Sequence, residues 1–417
     1  MRTTRISNIK HYQLAPWPCK DPAVFEKAYT DLLKRDVIFL PEHLEMQAKP
    51  FLGDRITPAG LKAVKPSLKI YRWYDLAVKA TWDSGWQDGS TGVDGQWPLR
   101  QLIEWRLIEA NNWWLRDQGG DRIAHSNDPS RWLIDFGKPG CVDTYCANLK
   151  KRVDDPSVDG VMFDYPVYDL PELVRSWYGG QKTLRDYPEQ MDWFERAWKP
   201  IVNGVSDTLH SLGKKYIILE GGDYKSKRPE HIFNRSKCDG IFYERGLANW
   251  WWVHHGDTYE TANKYTTAQL AAKINGLYRD PLDVHWSESF PDSYKLEGGE
   301  ADAERYRFAG FCFYLIAMKS PKAANRSYHF SSNTDDYSAK WWDPMDLYIG
   351  TPLRKGKKID DAGMVWSREY TKAHVVMNYG VEPFLASVNR LTDAVTGEKF
   401  ETWARVPPFS GRILLKD

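Results

Sequence analysis

Up to about Thr334 the apolar positions follow two alternating rhythms. One is a short, nearly continuous apolar run bounded by charged, Gly or Pro residues, as expected of a buried strand. Such runs are NIKHYQLAP (Asn8–Pro16), DVIFLP (Asp36–Pro41), LKIYRWYD (Leu68–Asp75), VDGVMFDYP (Val158–Pro166), KKYIILEGG (Lys214–Gly222), DGIFYERG (Asp239–Gly246) and LDVHWSES (Leu282–Ser289). The other is helical spacing. In DPAVFEKAYTDLLKR (Asp21–Arg35), Val24, Tyr29, Leu32 and Leu33 share a face behind an Asp-Pro start. Pro98 to Gly120 reads as a second helix, with Pro98 near its start and Gly119–Gly120 after its end. Helical spacing recurs over Val142–Pro156, over Met191–Gly213 with an interruption near Pro200, over Pro229–Lys237 and over Thr266–Tyr278. Ala303–Ser320 is a long apolar helix or a helix–strand boundary.

Strand-then-helix units repeated in this way predict a parallel α/β sheet, and eight or so of them favour a closed (β/α)8 TIM-like barrel. Beyond Thr334 the texture changes to GMVWSREY, AHVVMNYG, EPFLASVNR, EKFETWARV and GRILLKD, separated by Gly, Asn, Asp and Pro. That spacing predicts a small antiparallel sheet or sandwich. The expected division is a barrel over 1–335 and a β domain over 336–417.

Two of the strand runs share one layout. VDGVMFDYP and DGIFYERG both read Asp-Gly, three apolar or aromatic residues, then an acid, with Asp159 to Asp164 spaced as Asp239 to Glu244. An acid closing an apolar run is costly unless paired or used. The expected strand ends carry Asp75, Asp164, Glu220, Glu244 and Glu288. Each alone reads equally well as the first solvated residue of a loop. Five together point to the mouth of a barrel, where side chains at the carboxyl ends of strands do the chemistry. Two carboxyl groups facing across a cleft are what glycosidic cleavage needs, one donating a proton and the other attacking carbon or activating water.

Composition narrows the alternatives. The 57 basic and 56 acidic residues leave a formal charge of +1, which gives no global case for nucleic acid or an anionic membrane. No apolar run is long enough to predict a transmembrane helix. The basic start has no apolar core after it, so no secretory signal is expected and synthesis in a cytoplasm is, with release or particle association still open. Five scattered cysteines read as reduced thiols. No cofactor or metal is expected: GxGxxG and HExxH are absent, and the Asp- and Gly-rich loop Asp83–Asp94 lacks the EF-hand pattern. No G-x-S-x-G elbow is present. With 20 Trp and 23 Tyr at a mean hydropathy of -0.60, the chain either exposes many rings or packs them under polar loops. Exposed rings suit a polysaccharide or glycan, whose C–H faces stack on them, while core packing is the plainer role for any one Trp.

DGVMFDYP, DGIFYERG and the C-terminal series WWDPMDLYIGTPL, MVWSREYTKAHVVMNYG and PPFSGRILL resemble the hypothetical glycoside-hydrolase-like families, TIM-barrel proteins related to the α-amylase and polygalactosaminidase group. The C-terminal part of the resemblance falls on Asp346, Gly350–Pro352, Arg368, Asn378 and Ser410–Gly411. It implies that Asp164 is the fourth-strand nucleophile or base and Glu244 the partner acid. The chain departs from the pattern at Glu220, where a neutral residue is expected. Amylase-like barrels carry the acid on the strand immediately after the nucleophile, which favours Glu220, so the pairing stays open in the order Asp164, Glu244, Glu220.

Around these acids, Tyr165, Tyr243 and Arg245 are candidates to orient the carboxylates. Trp250, Trp251, Trp252 and Trp286 are candidates to stack on sugar, and His255, Asp223, Glu288 and Asp75 to bind it. The function expected is an O-glycoside hydrolase. The alternatives are a catalytically silent carbohydrate-binding or structural barrel, phage- or surface-associated, and a polysaccharide lyase.

Overall fold

The computed structural model describes residues 21–76, 78–80, 102–116, 119–125, 128–164, 194–220, 229–243, 247, 265–290, 299–321, 325–332 and 343–416. Its central feature is a parallel sheet of seven strands among the described residues. They are β1 (Val37–Phe39), β2 (Lys69–Asp75), β6 (Gly160–Asp164), β7 (Lys215–Glu220), β8 (Gly240–Tyr243), β9 (Asp283–Phe290) and β10 (Arg326–Ser332), hydrogen-bonded in that order. The first expected strand, Asn8–Pro16, lies outside the described residues.

The sheet is rolled into a barrel, and ring contacts show it. The His285 ring on β9 lies 5.2 Å from Phe39 on β1 and 5.7 Å from Tyr71 on β2, and Phe39 is 4.8 Å from Phe242 on β8. In a flat sheet, β1 and β9 would stand roughly 24 Å apart, five spacings of about 4.8 Å. Strand alternation then sorts the side chains. Val37, Phe39, Tyr71, Trp73, Met162, Ile217, Leu219 and Phe242 fill the interior. Tyr74, Phe163, Tyr216, Ile218, Tyr243, Trp286 and Tyr328 belong to the larger core shared with the helices.

The helices cover the outside. α1 (Pro22–Leu33) starts as its sequence suggests, with the Asp21 carboxylate accepting from the Ala23 N–H at 2.8 Å. α2 (Glu42–Leu52) and α3 (Pro58–Val64) follow β1. They were not legible in the pattern because Pro50 falls inside α2. α5 (Cys141–Val153) precedes β6. α6 (Lys199–Ser211) grows out of a π-helical turn, Phe194–Trp198, and Pro200 at its start accounts for the interruption in the sequence. α7 (Pro229–Lys237), α8 (Thr267–Arg279) and α9 (Gly299–Ala317) complete the set. α8 begins with a capping box between Thr266 and Gln269.

Between β2 and α5 the chain departs from expectation. Instead of one long helix over Pro98–Gly120, only α4 (Trp105–Ala110) is helical. Asn112 then takes a left-handed φ of 52°, and Trp114 bridges to Ile134. A three-stranded antiparallel sheet, β3 (Val78–Ala80), β5 (Asp128–Leu133) and β4 (Ala124–His125), occupies this excursion. Arg122 stacks its guanidinium 4.8 Å from the Trp114 ring there.

The chain ends in an antiparallel sheet of β11 (Lys357–Lys358), β12 (Val365–Glu369), β13 (Ala373–Asn378), β18 (Ser410–Lys416), β15 (Leu391–Asp393) and β16 (Lys399–Phe400). β14 (Phe384–Ser387) and β17 (Trp403–Val406) form a separate ribbon. This sheet packs on α9 so closely that a Cβ on Gly411 would stand 2.4 Å from Cys312 Sγ. Arg368, buried, donates to the carbonyls of Leu315, Met318, Lys319 and Arg354, tying the last turn of α9 to β12. Burial pushes its guanidinium below the usual arginine range.

Candidate active site

The Asp-Gly that opens the two matched segments belongs to the amino ends of the strands. The Asp159 carboxylate accepts from the Ile70 N–H at 2.9 Å and from Lys69 Nζ at 3.0 Å, and it pairs with Lys62 at 2.7 Å. Burial pushes its pKa up, but these hydrogen bonds outweigh burial and hold it below the usual carboxylate value. Asp239 repeats the device one unit later, accepting from the Tyr216 N–H at 2.8 Å and meeting His210 at 2.9 Å. The glycines are required by crowding. A Cβ on Gly160 would lie 2.2 Å from the Lys215 carbonyl oxygen, and one on Gly240 would lie 2.6 Å from Ile217 Cδ1. The first half of the repeated layout therefore staples strand to strand. In the first segment the second half delivers Asp164 to the other end.

At the carboxyl end, Asp75 closes β2 and Asp164 closes β6, and the two are register partners on adjacent parallel strands. Both are buried, at 3% and 7% exposure. Asp75 follows Trp73 by two residues and Asp164 follows Met162 by two, so both share the interior phase of the pleat. One pleat step down, Trp73 and Met162 form an apolar floor, and Leu219 and Phe242 belong to the same interior cluster.

The backbone under the two acids is fixed from outside the barrel. The Tyr145 hydroxyl on α5 donates to the Asp75 carbonyl at 3.0 Å, and the Leu76 N–H donates to the Asp164 carbonyl at 3.0 Å. Burial raises the Tyr145 phenol well above the usual range, so it remains a donor. The outer face of β2 is anchored to α2: Tyr74 donates to Glu42 at 2.6 Å, and Arg72 pairs with Glu45. Glu42 also pairs with Arg152 of α5.

The other expected site residues divide into three groups. Glu220 ends β7 as anticipated, in register with Tyr243. Glu288 does not end its strand: it pairs with Phe330 inside β9, which runs on to Phe290. Tyr243 and Trp286 correct the expectation, since neither presents its ring to the barrel mouth. Both are fully buried between sheet and helices, 5.4 Å apart, with Phe313 of α9 at 5.1 Å and the Lys273 ammonium 5.1 Å from the Trp286 ring. Aromatic residues suit strands because they pack in this layer, and their number alone could not separate packing from stacking. Glu244, Tyr165, Arg245, Trp250, Trp251, Trp252, His255 and Asp223 lie outside the described residues, as does the loop Asp83–Asp94.

A residue that sequence reasoning passed over also points inward. His285 on β9 is buried, shares a 2.7 Å hydrogen bond through Nδ1 with Ser327 Oγ of β10, and contacts Phe39 and Tyr71. Its Nε2 has no hydrogen-bond partner among the described residues. Burial, reinforced by Lys215 and Arg326, lowers its pKa to about 3, so it is neutral. The alternation in RSYHFSS was the signal for β10, the partner strand that the sequence reading did not name.

Among the described residues no group of three or more His, Cys, Asp or Glu side chains has the arrangement to hold a metal ion, and no helix is long and apolar enough to cross a membrane. The arrangement at the mouth is two adjacent buried carboxyl groups over an apolar floor, in a fold whose strand ends customarily carry catalysis.

The chain as a whole is similar to solved structures of the same architecture. A noncanonic maltogenic alpha-amylase from Thermotoga neapolitana superposes with a TM-score of 0.51 at 10% identity, over 99% of this chain and 98% of that one. An alpha-amylase from Geobacillus thermoleovorans, solved with acarbose, gives 0.47 at 11% identity over 100% of both chains. At these identities the first likeness establishes the (β/α)8-type fold with its C-terminal antiparallel sheet, and nothing finer. No curated protein matches the chain. The family model described as hypothetical glycosyl hydrolase family 15 matches residues 62–374, from α3 through β13, well over half of the sequence. The chain belongs to that glycosyl hydrolase family.

Proposed function

We propose that the protein hydrolyses O-glycosidic bonds of a polysaccharide or glycan with a carboxyl pair in which Asp164 is the nucleophile or base. The observation that supports this reading most is the position of Asp164: buried, at the carboxyl end of a central barrel strand, beside Asp75. In this reading Glu244 donates the proton to the leaving oxygen. It follows Phe242 by two residues in sequence, as Asp164 follows Met162. Glu220 is the alternative donor. Asp75 binds a sugar hydroxyl next to the reacting carbon, and the Trp250–Trp252 run supplies stacking surface for the rest of the substrate. The barrel, 1–335, carries the chemistry, and the β region, 336–417, supports it through α9.

The apolar floor matters to this chemistry. A glycosidic transition state carries positive charge on the sugar ring, and a carboxylate stabilises it more strongly where water is excluded. Wild-type protein and the Asp164→Asn and Glu244→Gln variants, assayed for new reducing ends on a panel of polysaccharides, test the proposal. Turnover by wild type and its loss in both variants supports it. Binding without turnover in wild type removes it in favour of a silent carbohydrate-binding barrel, and an unsaturated product absorbing in the near ultraviolet would indicate a lyase.

A further inference from the structure

A second concavity lies away from the strand ends, where the start of α8 meets the C-terminal sheet. It encloses about 480 Å³, within the range of small-molecule sites. Its walls include four aromatic rings, Tyr265, Tyr379, Phe384 and Phe409. Tyr265 and Tyr379 stand 6.0 Å apart at 34°, and Phe409 meets Tyr379 edge-on at 5.6 Å. Two acidic residues, Asp360 and Glu382, also line it.

Most polar groups of these walls are already engaged. Asp360 accepts from the N–H groups of Met364 and Val365 at 3.0 and 2.8 Å. Asn378 donates to the Glu382 and Val406 carbonyls and accepts from the Gly380 N–H. Thr266 is occupied by its capping box, and Tyr265 Oη accepts from Lys273 Nζ at 2.7 Å. The Thr266, Tyr265 and Tyr379 hydroxyls act as acceptors in their hydrogen bonds, while an anion in the cavity would meet two negative charges. Lys273, the nearby cation, is not among the lining residues. Glu382 is exposed at the rim, and its carboxylate makes no ion pair among the described residues.

Aromatic faces together with carboxylates make an environment for a cation whose charge is wrapped in apolar groups. The geometry points to this cavity as a binding site for an alkylated organic ammonium, distinct from the strand-end acids. Tyr379, Phe384 and Phe409 supply cation–π attraction and apolar contact, the Tyr265 ring already facing the Lys273 ammonium at 4.7 Å, and Asp360 and Glu382 supply the countercharge. The site stands independently of the glycosidase reading, because neither its residues nor its test involves cleavage.

The test compares choline chloride with 3,3-dimethylbutan-1-ol, which has the same shape but a neutral carbon in place of the charged nitrogen. Calorimetric titration of the full chain should show choline binding about tenfold or more tightly than the alcohol, the scale of one carboxylate plus ring interactions. Glu382→Gln, an exposed substitution, should bring the two affinities close together. Phe384→Ala should weaken choline binding while leaving the circular dichroism spectrum unchanged. Equal affinity for the two probes overturns the proposal, as does no binding of choline at roughly millimolar concentration, tighter binding of glucose, or choline binding indifferent to both substitutions.

Discussion

Asp75 and Asp164 are neighbours across one step of the barrel, paired Cα to Cα at the ends of β2 and β6 and both buried. Their equivalence in the fold contrasts with the different tasks assigned to them, which kinetics separates. Asp164→Asn should lower kcat by at least roughly 10²-fold with little change in KM, because it removes an interaction formed in the transition state. Asp75→Asn should act chiefly through KM, as expected for a group that binds substrate and transition state alike. Steady-state kinetics on any polysaccharide that wild type cleaves distinguishes the two. Equal losses in kcat for both variants would assign Asp75 to the chemistry.

The amino end of the barrel gives a prediction about stability alone. Gly160→Ala places a methyl group 2.2 Å from the Lys215 carbonyl, in rigid backbone that cannot give way cheaply. We expect it to cost about 1–3 kcal/mol or more in urea denaturation. Gly213→Ala is the comparison. A Cβ there meets no atom within 4 Å, so its cost comes from the positive φ of 67° alone.

Arg368 joins the two sheets through α9. Replacing it with Met keeps the bulk of the side chain but removes the guanidinium donor from the carbonyls of Met318 and Lys319, while Leu315 keeps the Tyr370 hydroxyl. A loss of about 3 kcal/mol or more is expected, read as a lower denaturation midpoint. An unchanged midpoint would mean that water replaces the guanidinium at no cost.

His285 predicts a pH dependence. Its folded pKa, about 3, lies below the ordinary value of 6.5, so between those limits the unfolded chain binds a proton that the folded protein does not. Its neutral state therefore contributes stability that is fully present above about pH 6.5 and is lost as pH falls toward 3, at a limiting slope of about 1.4 kcal/mol per pH unit. Urea midpoints at pH 7 and pH 5 should differ by more in wild type than in His285→Gln. Equal differences would contradict the assignment.

Much of the fold was legible in the sequence because it rests on local rhythm. The apolar runs at β1, β2, β6, β7, β8 and β9 read as strands, α1, α5, α6, α7 and α8 carried helical spacing, and α9 read as a long apolar helix or a helix–strand boundary. Where long-range pairing decided the structure, the sequence misled. Trp113 and Trp114 fit a helix by spacing but are captured by the excursion sheet through Ile134. Of the candidate site, the strand-end positions of Asp164 and Asp75 were legible, because an acid at the end of a buried run is conspicuous. Trp286 was misplaced because whether a strand residue faces the interior or the helices depends on one step of phase, and aromatic identity does not carry that information. The repeated Asp-Gly, read as part of a catalytic signature, is a staple at the opposite end. Arg368 and Asn378, read as family signature, hold the C-terminal sheet.

The most direct measurement is the release of reducing ends from a polysaccharide panel by wild type and by Asp164→Asn of matched circular dichroism. The account predicts turnover by wild type, a fall of at least roughly 10²-fold in the variant, and retained substrate binding by both. Equal activity in the two proteins, or binding with no turnover in wild type, would contradict it.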